Sequence, residues 1–192
     1  MKYKLISNIK RIPLGNQFIR RTHRPYLSIN EFNLLLDGEV IVEEKIDGTP
    51  VTLEYDDLIL FCEDIHYKHT VFYNKIPPTF GKWPAFLVCY DILDKRNDLW
   101  LDRIQKENVC FKAGIPIIPL IYRGILKSED ITKLADFISF FGTEPSEGIV
   151  IKNYNKKIFG KFITNEFIGN IENKAHWTKK KKIPNLLDLK KK

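Results

Sequence analysis

The sequence predicts an α+β fold with largely antiparallel sheets flanked by helices. Strand-like runs come in pairs, VTLEY (51–55) with LILFC (58–62) and EGIVIK (147–152) with KIFGKFI (157–163). Helical stretches stand between those groups instead of alternating with single strands, which favours segregated antiparallel sheets over a parallel α/β array. The 192 residues are 44% hydrophobic and 29% charged, enough apolar material for a packed core and unlike a disordered chain.

The elements follow in chain order. Ser28 and Glu31 form a capping box ahead of a short helix whose apolar face is Phe32, Leu35 and Leu36, with Gly38 as its stop. EVIVEEKI (39–46) reads as a strand, broken by the turn-forming KIDGTP. The next two strands form a hairpin through Asp56 and Asp57. PAFLVCYDIL (84–93) is a continuous apolar run bounded by turn residues and is expected to be a buried strand. Residues 99–112 have helical spacing at Leu101, Ile104 and Phe111, and IPIIPLIY (115–122) is held extended by its prolines. Residues 128–141 are expected to form one amphipathic helix, with Leu134, Ala135, Ile138 and Phe141 on one face and Gly142 after it. Two strands joined by NYNK come next, followed by a basic tail ordered only in part.

The net charge of +7 favours polyanionic partners, nucleic acid or nucleotide. Cys62, Cys89 and Cys110 are scattered and odd in number, which argues against a disulfide framework or a structural zinc site and for a reducing compartment. No apolar run reaches membrane-spanning length, and MKYKLISNIKR lacks the apolar core of a secretory signal. The expected location is intracellular, with no membrane partner.

The first chemical landmark is Lys45-Ile46-Asp47-Gly48, a lysine at a strand end followed by a tight glycine turn, which presents an amine at the rim of a sheet. By itself a KxDG tetrapeptide also describes a surface lysine before a turn. Its context is an ordered series: EEKIDG, FCED, FLVCYDIL, EGIVIK and GKF. In that order these motifs resemble the covalent nucleotidyltransferases, namely DNA ligases, RNA ligases and messenger-RNA capping enzymes, over residues 40–167. The resemblance implies the nucleotidyltransferase fold, with a nucleotide cleft between its sheets, and a chemistry in which a lysine amine attacks the α-phosphate of ATP, expels pyrophosphate and holds AMP as a phosphoramidate. An ordinary lysine is protonated at neutral pH, so such a site needs neighbouring positive charge, desolvation or a metal.

The resemblance makes Lys45 the nucleophile. Lys161, in GKF, resembles the lysine that contacts the α-phosphate, with Lys152 a second candidate; the alternative for both is a solvated strand face. Glu147 resembles the carboxylate that binds Mg2+ or Mn2+, its alternative being a turn glutamate. Tyr90 stands where related enzymes stack an aromatic ring on adenine, although a core tyrosine would look the same. Glu63 resembles the ribose-binding glutamate, and either Glu43 or Glu44 is expected at the adenine amino group. Ile46 and Gly48, beside the nucleophile, complete the expected nucleotide contacts. Asp91 reads as structural, and Arg103, in LWLDRIQ, as structural or orienting.

Within the superfamily the ATP-dependent RNA ligases fit best. CEDIHYKHTVFYNKIPPTF and the following FLVCYDILD resemble their central stretch, with Cys62 where glycine is usual. Ile163 replaces the second lysine of the usual closing pair, and no arginine lies between Gly48 and Arg96, where many relatives carry one. The expected organisation is a single adenylation domain over 1–175, a basic tail over 176–192 and no OB-fold domain. The implied substrate is RNA with 5′-phosphate and 3′-hydroxyl ends, with DNA an alternative. The competing readings are a DNA ligase, a capping-type guanylyltransferase, and a non-catalytic module that binds nucleotide or RNA ends. In the tail, Trp177 beside Lys179, Lys180, Lys181 and Lys182 suits phosphate contact plus base stacking.

Overall fold

The computed structural model describes residues 9–14, 25–80, 82–172 and 182–188. Trp177, Lys179, Lys180 and Lys181 of the expected RNA-binding tail lie outside the described residues. The chain divides into two compact units, each assembled from separate stretches. The first takes Met1–Lys45, Pro119–Phe137 and Pro145–Lys174; the second takes Ile46–Ile118, Ile138–Glu144 and Ala175–Lys192.

The first unit is built on a four-stranded antiparallel sheet of β1 (Glu39–Glu44), β6 (Leu120–Ile125), β7 (Gly148–Asn153) and β8 (Ile158–Ile163), in the order β6-β1-β7-β8. Helices α1 (Ile29–Leu36) and α3 (Ile131–Ala135) cover one face. Because side chains alternate along a strand, Val40 and Val42, Ile149 and Ile151, and Phe162 all point to that face. There they pack with Leu35, Ile131 and Ala135 in one buried cluster. The capping box at Ser28 and Glu31 forms as the sequence predicts. Asn153 ties the helix end to the sheet by donating to the Leu35 and Asp37 carbonyls.

The second unit holds the other antiparallel sheet, β2 (Thr49–Tyr55), β3 (Leu58–Asp64), β4 (Leu87–Asp94) and β5 (Leu99–Trp100), in that order. Asp56, with φ 53°, makes the tight hairpin turn between β2 and β3. One face of the sheet packs Leu60, Cys62, Leu87, Cys89 and Ile92 against Cys110 and Ala113 of α2 (Arg103–Ala113). All three cysteines are buried and unbridged. The α+β class and the antiparallel pairing are therefore as the sequence predicts.

Three details differ. The helix expected over 99–112 begins only at Arg103, after residues 99–100 have joined the sheet as β5. Its buried side is Arg103, Lys106, Cys110 and Ala113, while the apolar Ile104 and Phe111 are 54% and 89% exposed. Charge did not keep Arg103 and Lys106 out, because each meets buried oxygens. Arg103 Nη1 donates to the Ile118 carbonyl at 2.7 Å, and Lys106 Nζ donates to the Tyr90 carbonyl at 2.9 Å and pairs with Asp91 at 3.3 Å. The helix expected over 128–141 is a 3-10 turn at Ser128–Asp130 and the short α3. Beyond Phe137 the chain leaves the first unit, and its hydrogen bonds to the 68–75 segment replace helical ones: the Phe141 carbonyl accepts from Lys75 N, and Glu144 accepts from Phe72 N. Helix α4 (Asn165–Glu172) has no counterpart in the sequence reading.

Candidate active site

In the first unit, the face of the sheet opposite the helices sets buried charged side chains among apolar ones. Alternation places Ile41 and Glu43 of β1, Val150 and Lys152 of β7, and Phe159 and Lys161 of β8 on that face. The register lines them up in rungs, with Glu43 beside Val150 and then Lys161, and Ile41 beside Lys152 and then Phe159. Lys45 follows β1 directly and remains tied to β7, its backbone N donating to the Gly148 carbonyl at 2.9 Å.

Its side chain reaches Glu147. Lys45 Nζ donates to Glu147 Oε2 at 2.5 Å, and both side chains are mostly shielded. Two residues 102 positions apart in sequence thus meet as an ammonium–carboxylate pair at the sheet rim. Glu147 is fixed by its neighbours: its carbonyl accepts from Thr164 N at 3.0 Å and from the Thr164 hydroxyl. Gly148 has φ 152°, and a Cβ there would lie 2.0 Å from the Phe162 carbonyl oxygen, so the position requires glycine.

Lys152 is buried and pairs with Glu43 at 2.7 Å, its ammonium also lying 5.9 Å from the Phe159 ring centroid. Lys161 is equally buried on the neighbouring strand. Both lysines thus lie in a shielded face, unlike the solvated strand the sequence left open. Glu43 and Glu44 are both buried but on opposite faces: Glu43 is with the lysines, and Glu44 pairs in register with the core residue Ile149. The described residues contain no group of three or more His, Cys, Asp or Glu side chains placed to hold a metal ion by themselves.

The second unit holds the remaining candidates. Asp47 anchors the turn, its carboxylate accepting from Thr70 N at 2.7 Å and Val71 N at 3.3 Å, and its own N–H donating to the Tyr73 hydroxyl at 2.8 Å. Ile46 is buried beside it. A Cβ on Gly48 would lie 2.7 Å from the Asp64 carbonyl oxygen, so the glycine allows close passage of two backbones. Tyr90 is buried on the sheet face that carries Phe61, with ring centroids 6.4 Å apart, and Glu63 follows two residues after Phe61 on the same face. Burial, reinforced by the nearby Glu63 charge, pushes the Tyr90 hydroxyl well above the ordinary phenol range, so it stays protonated and able to donate. Asp91 is the buried partner of Lys106, the structural role the sequence suggests.

The sequence reading missed the anchoring of Asp47 by Tyr73 and the whole segment at 9–14, which carries no motif. The model of the RNA ligase family matches residues 52–165. This chain belongs to the RNA ligase family. A search of curated proteins found no match. Among solved structures, a Naegleria gruberi RNA ligase mutant with ATP and Mn superposes with a TM-score of 0.58 at 15% identity, covering 90% of this chain and 64% of that one. Another mutant of the same ligase, with AMP and Mn, gives 0.56 at 16% identity over 76% of this chain and 55% of that one. At such identities the likeness shows the fold. The chain spans about half to two thirds of the length of these ligases.

Proposed function

We propose that this chain is an ATP-dependent RNA ligase on the nucleotidyltransferase fold, working through a lysyl-AMP intermediate at Lys45. The observation that carries the proposal is the Lys45–Glu147 pair at the rim of the sheet that bears Lys161, in a chain of the RNA ligase family. Supporting it, the similar Naegleria gruberi ligase has been solved with ATP or AMP and Mn.

In the proposed first step Lys45, having lost its ammonium proton to solvent, attacks the α-phosphorus of ATP as the amine; a P–N bond forms, the bond to pyrophosphate breaks, and the nitrogen releases a second proton to solvent. Glu147 fixes the position of the amine before attack. Lys161 supplies positive charge for the phosphate oxygens, while the charge of Lys152 is shared with Glu43. Glu147 would offer Mg2+ or Mn2+ one hard oxygen, and such ions take most other ligands from water and phosphate. When bound, the cation supplies neutralisation of phosphate charge. Tyr90 is the proposed adenine contact, Glu63 the ribose contact, and Glu43 or Glu44 the contact for the adenine amino group; Ile46 and Gly48 lie next to the nucleophile in sequence. AMP then passes to an RNA 5′-phosphate, and a 3′-hydroxyl displaces it to seal the strand.

The test is incubation with α-labelled ATP and Mg2+, with mass mapping of the modified residue. Wild type is expected to take label on Lys45. Lys45→Arg is expected to take none, since it keeps the charge opposite Glu147 but a guanidinium stays protonated. A folded wild type that takes no label, or takes it on another lysine, rejects the proposal.

A further inference from the structure

Arg11 lies on the charged face of the first unit, and the adenylation chemistry above leaves it unused. Its backbone runs beside β8 as a parallel bridge: Lys161 N donates to the Lys10 carbonyl at 3.1 Å, and Ile12 N donates to the Lys161 carbonyl at 2.9 Å. Bridged residues carry their side chains on the same side. Ile12, the next residue, is in the hydrophobic cluster under the helices, so Arg11 projects to the opposite face. It therefore continues the rung Glu43–Val150–Lys161 by one further position, about 4.8 Å beyond Lys161.

Arg11 is only 7% exposed, yet its Nε and Nη1 are buried without a hydrogen-bond partner. None of the ion pairs among the described residues involves it, and the glutamate on its own rung, Glu43, is paired with Lys152. A guanidinium does not lose its proton in a protein, so it cannot relieve this situation by becoming neutral. A shielded cation with idle donors, next to a buried lysine, calls for an anion with two or more oxygens.

We propose that Arg11 is a receptor for a phosphoryl group, gripping two of its oxygens with the planar fork while Lys161 contacts the same or the adjoining phosphate. The proposal rests on the ligase reading. Its ligand is a phosphate that belongs either to the polyphosphate of ATP or to the 5′ end of the RNA.

The experiment compares wild type, Arg11→Gln and Arg11→Lys in three assays: binding of inorganic tripolyphosphate, single-turnover labelling by ATP, and transfer of AMP from labelled enzyme to 5′-phosphorylated RNA. If the phosphate is that of ATP, Arg11→Gln weakens tripolyphosphate binding and slows labelling by about tenfold or more, and the transfer step is spared. If it is that of RNA, labelling is spared and transfer falls by a similar factor. In either case Arg11→Lys recovers only part of the loss, because it restores the charge and not the fork, and Arg11→Gln is expected to melt no lower than wild type, since Nε and Nη1 make no hydrogen bond. Unchanged binding, labelling and transfer in Arg11→Gln overturn the proposal. Should Arg11→Gln fail to fold, the Arg11 Nε–H resonance of wild type is followed during titration with tripolyphosphate and with a 5′-phosphorylated oligoribonucleotide. A shift with either supports the site, and no shift with both overturns it. A wild type that binds tripolyphosphate through Arg11 but never takes label sinks the ligase reading and leaves the anion site standing.

Discussion

At the scale of single residues, the strongest constraint is the short contact between Lys45 and Glu147. In that contact the carboxylate holds the nitrogen that, in the proposed reaction, attacks phosphorus as a free amine. The proposed reaction asks two things of Glu147, to hold the nucleophile and to offer an oxygen to a cation. Glu147→Gln separates them, since the amide can still accept a hydrogen bond but carries no charge. Labelling by Glu147→Gln is expected to need about 10–100 times more Mg2+ than wild type, a factor drawn from losses in metal-site binding. A titration of labelling rate against metal concentration checks it; a variant with the wild-type metal requirement removes Glu147 from the metal site. The residues in this pair were legible in the sequence because each closes or opens a motif. Their meeting was not, because 102 positions separate them and only the β1–β7 pairing brings them together.

At the scale of elements, α1 and α2 show where periodicity can and cannot be trusted. Helix α1 matched its sequence signature because its cap is local, with both halves of the box within four residues. Glu31 is held at a pKa of about 2 by its hydrogen bond from Lys10 and by that from Ser28 N. Its folded pKa is depressed, so its contribution to stability is complete above about 4.5 and is lost as pH falls from there towards about 2. Thermal melts between pH 5 and 2 are expected to show a steeper acid decline for wild type than for Glu31→Gln. Helix α2 misled because half of its inward side is charged, Arg103 and Lys106, so burial could not be read from hydrophobicity. Lys106 is 0% exposed, against 89% for Phe111. Lys106→Met, which strands Asp91 in the interior, is expected to cost about 3–5 kcal/mol, whereas Phe111→Ala should stay within about 0.5 kcal/mol. Denaturant unfolding of both variants decides between the two faces. Helix α3 was overextended for a different reason: the apolar spacing continues to Phe141, but tertiary hydrogen bonds capture the chain after Phe137.

At the scale of the whole molecule, α+β class and antiparallel pairing were readable because they follow from local runs of alternating or continuous apolar residues. The division into two units was not, since each is stitched from three stretches and no linker composition marks the crossings. The end of the basic tail gave a further surprise. Asn185 is buried in the second unit, its side chain accepting from Tyr73 N at 2.9 Å and donating to the Ile65 carbonyl at 2.8 Å, while its backbone N donates to the His66 carbonyl at 2.8 Å. Deleting everything after Ala175 therefore removes those three hydrogen bonds, and also those that Ile183, Leu186 and Asp188 make with Lys68, Tyr73 and Ile76, along with the lysines. Replacing Lys179, Lys180, Lys181 and Lys182 by serine isolates their charge. Those four substitutions are expected to weaken RNA binding and to flatten its dependence on salt, with a slope lower by up to about 3 on a logarithmic plot. Identical slopes for variant and wild type would take the run out of the RNA interface.

All three sulfhydryls of the chain sit inside the second unit, sealed between β3, β4 and α2, and none is in the first. Burial pushes the Cys89 thiol well up, and its hydrogen bond with Cys89, followed by burial, does the same to Cys110. Thiolate is the form that alkylating reagents consume, so Cys89 and Cys110 are expected to stay silent in the native molecule and to react only when that interior opens. The molecule thus carries its own clock for the breathing of one half, blind to the half that bears Lys45.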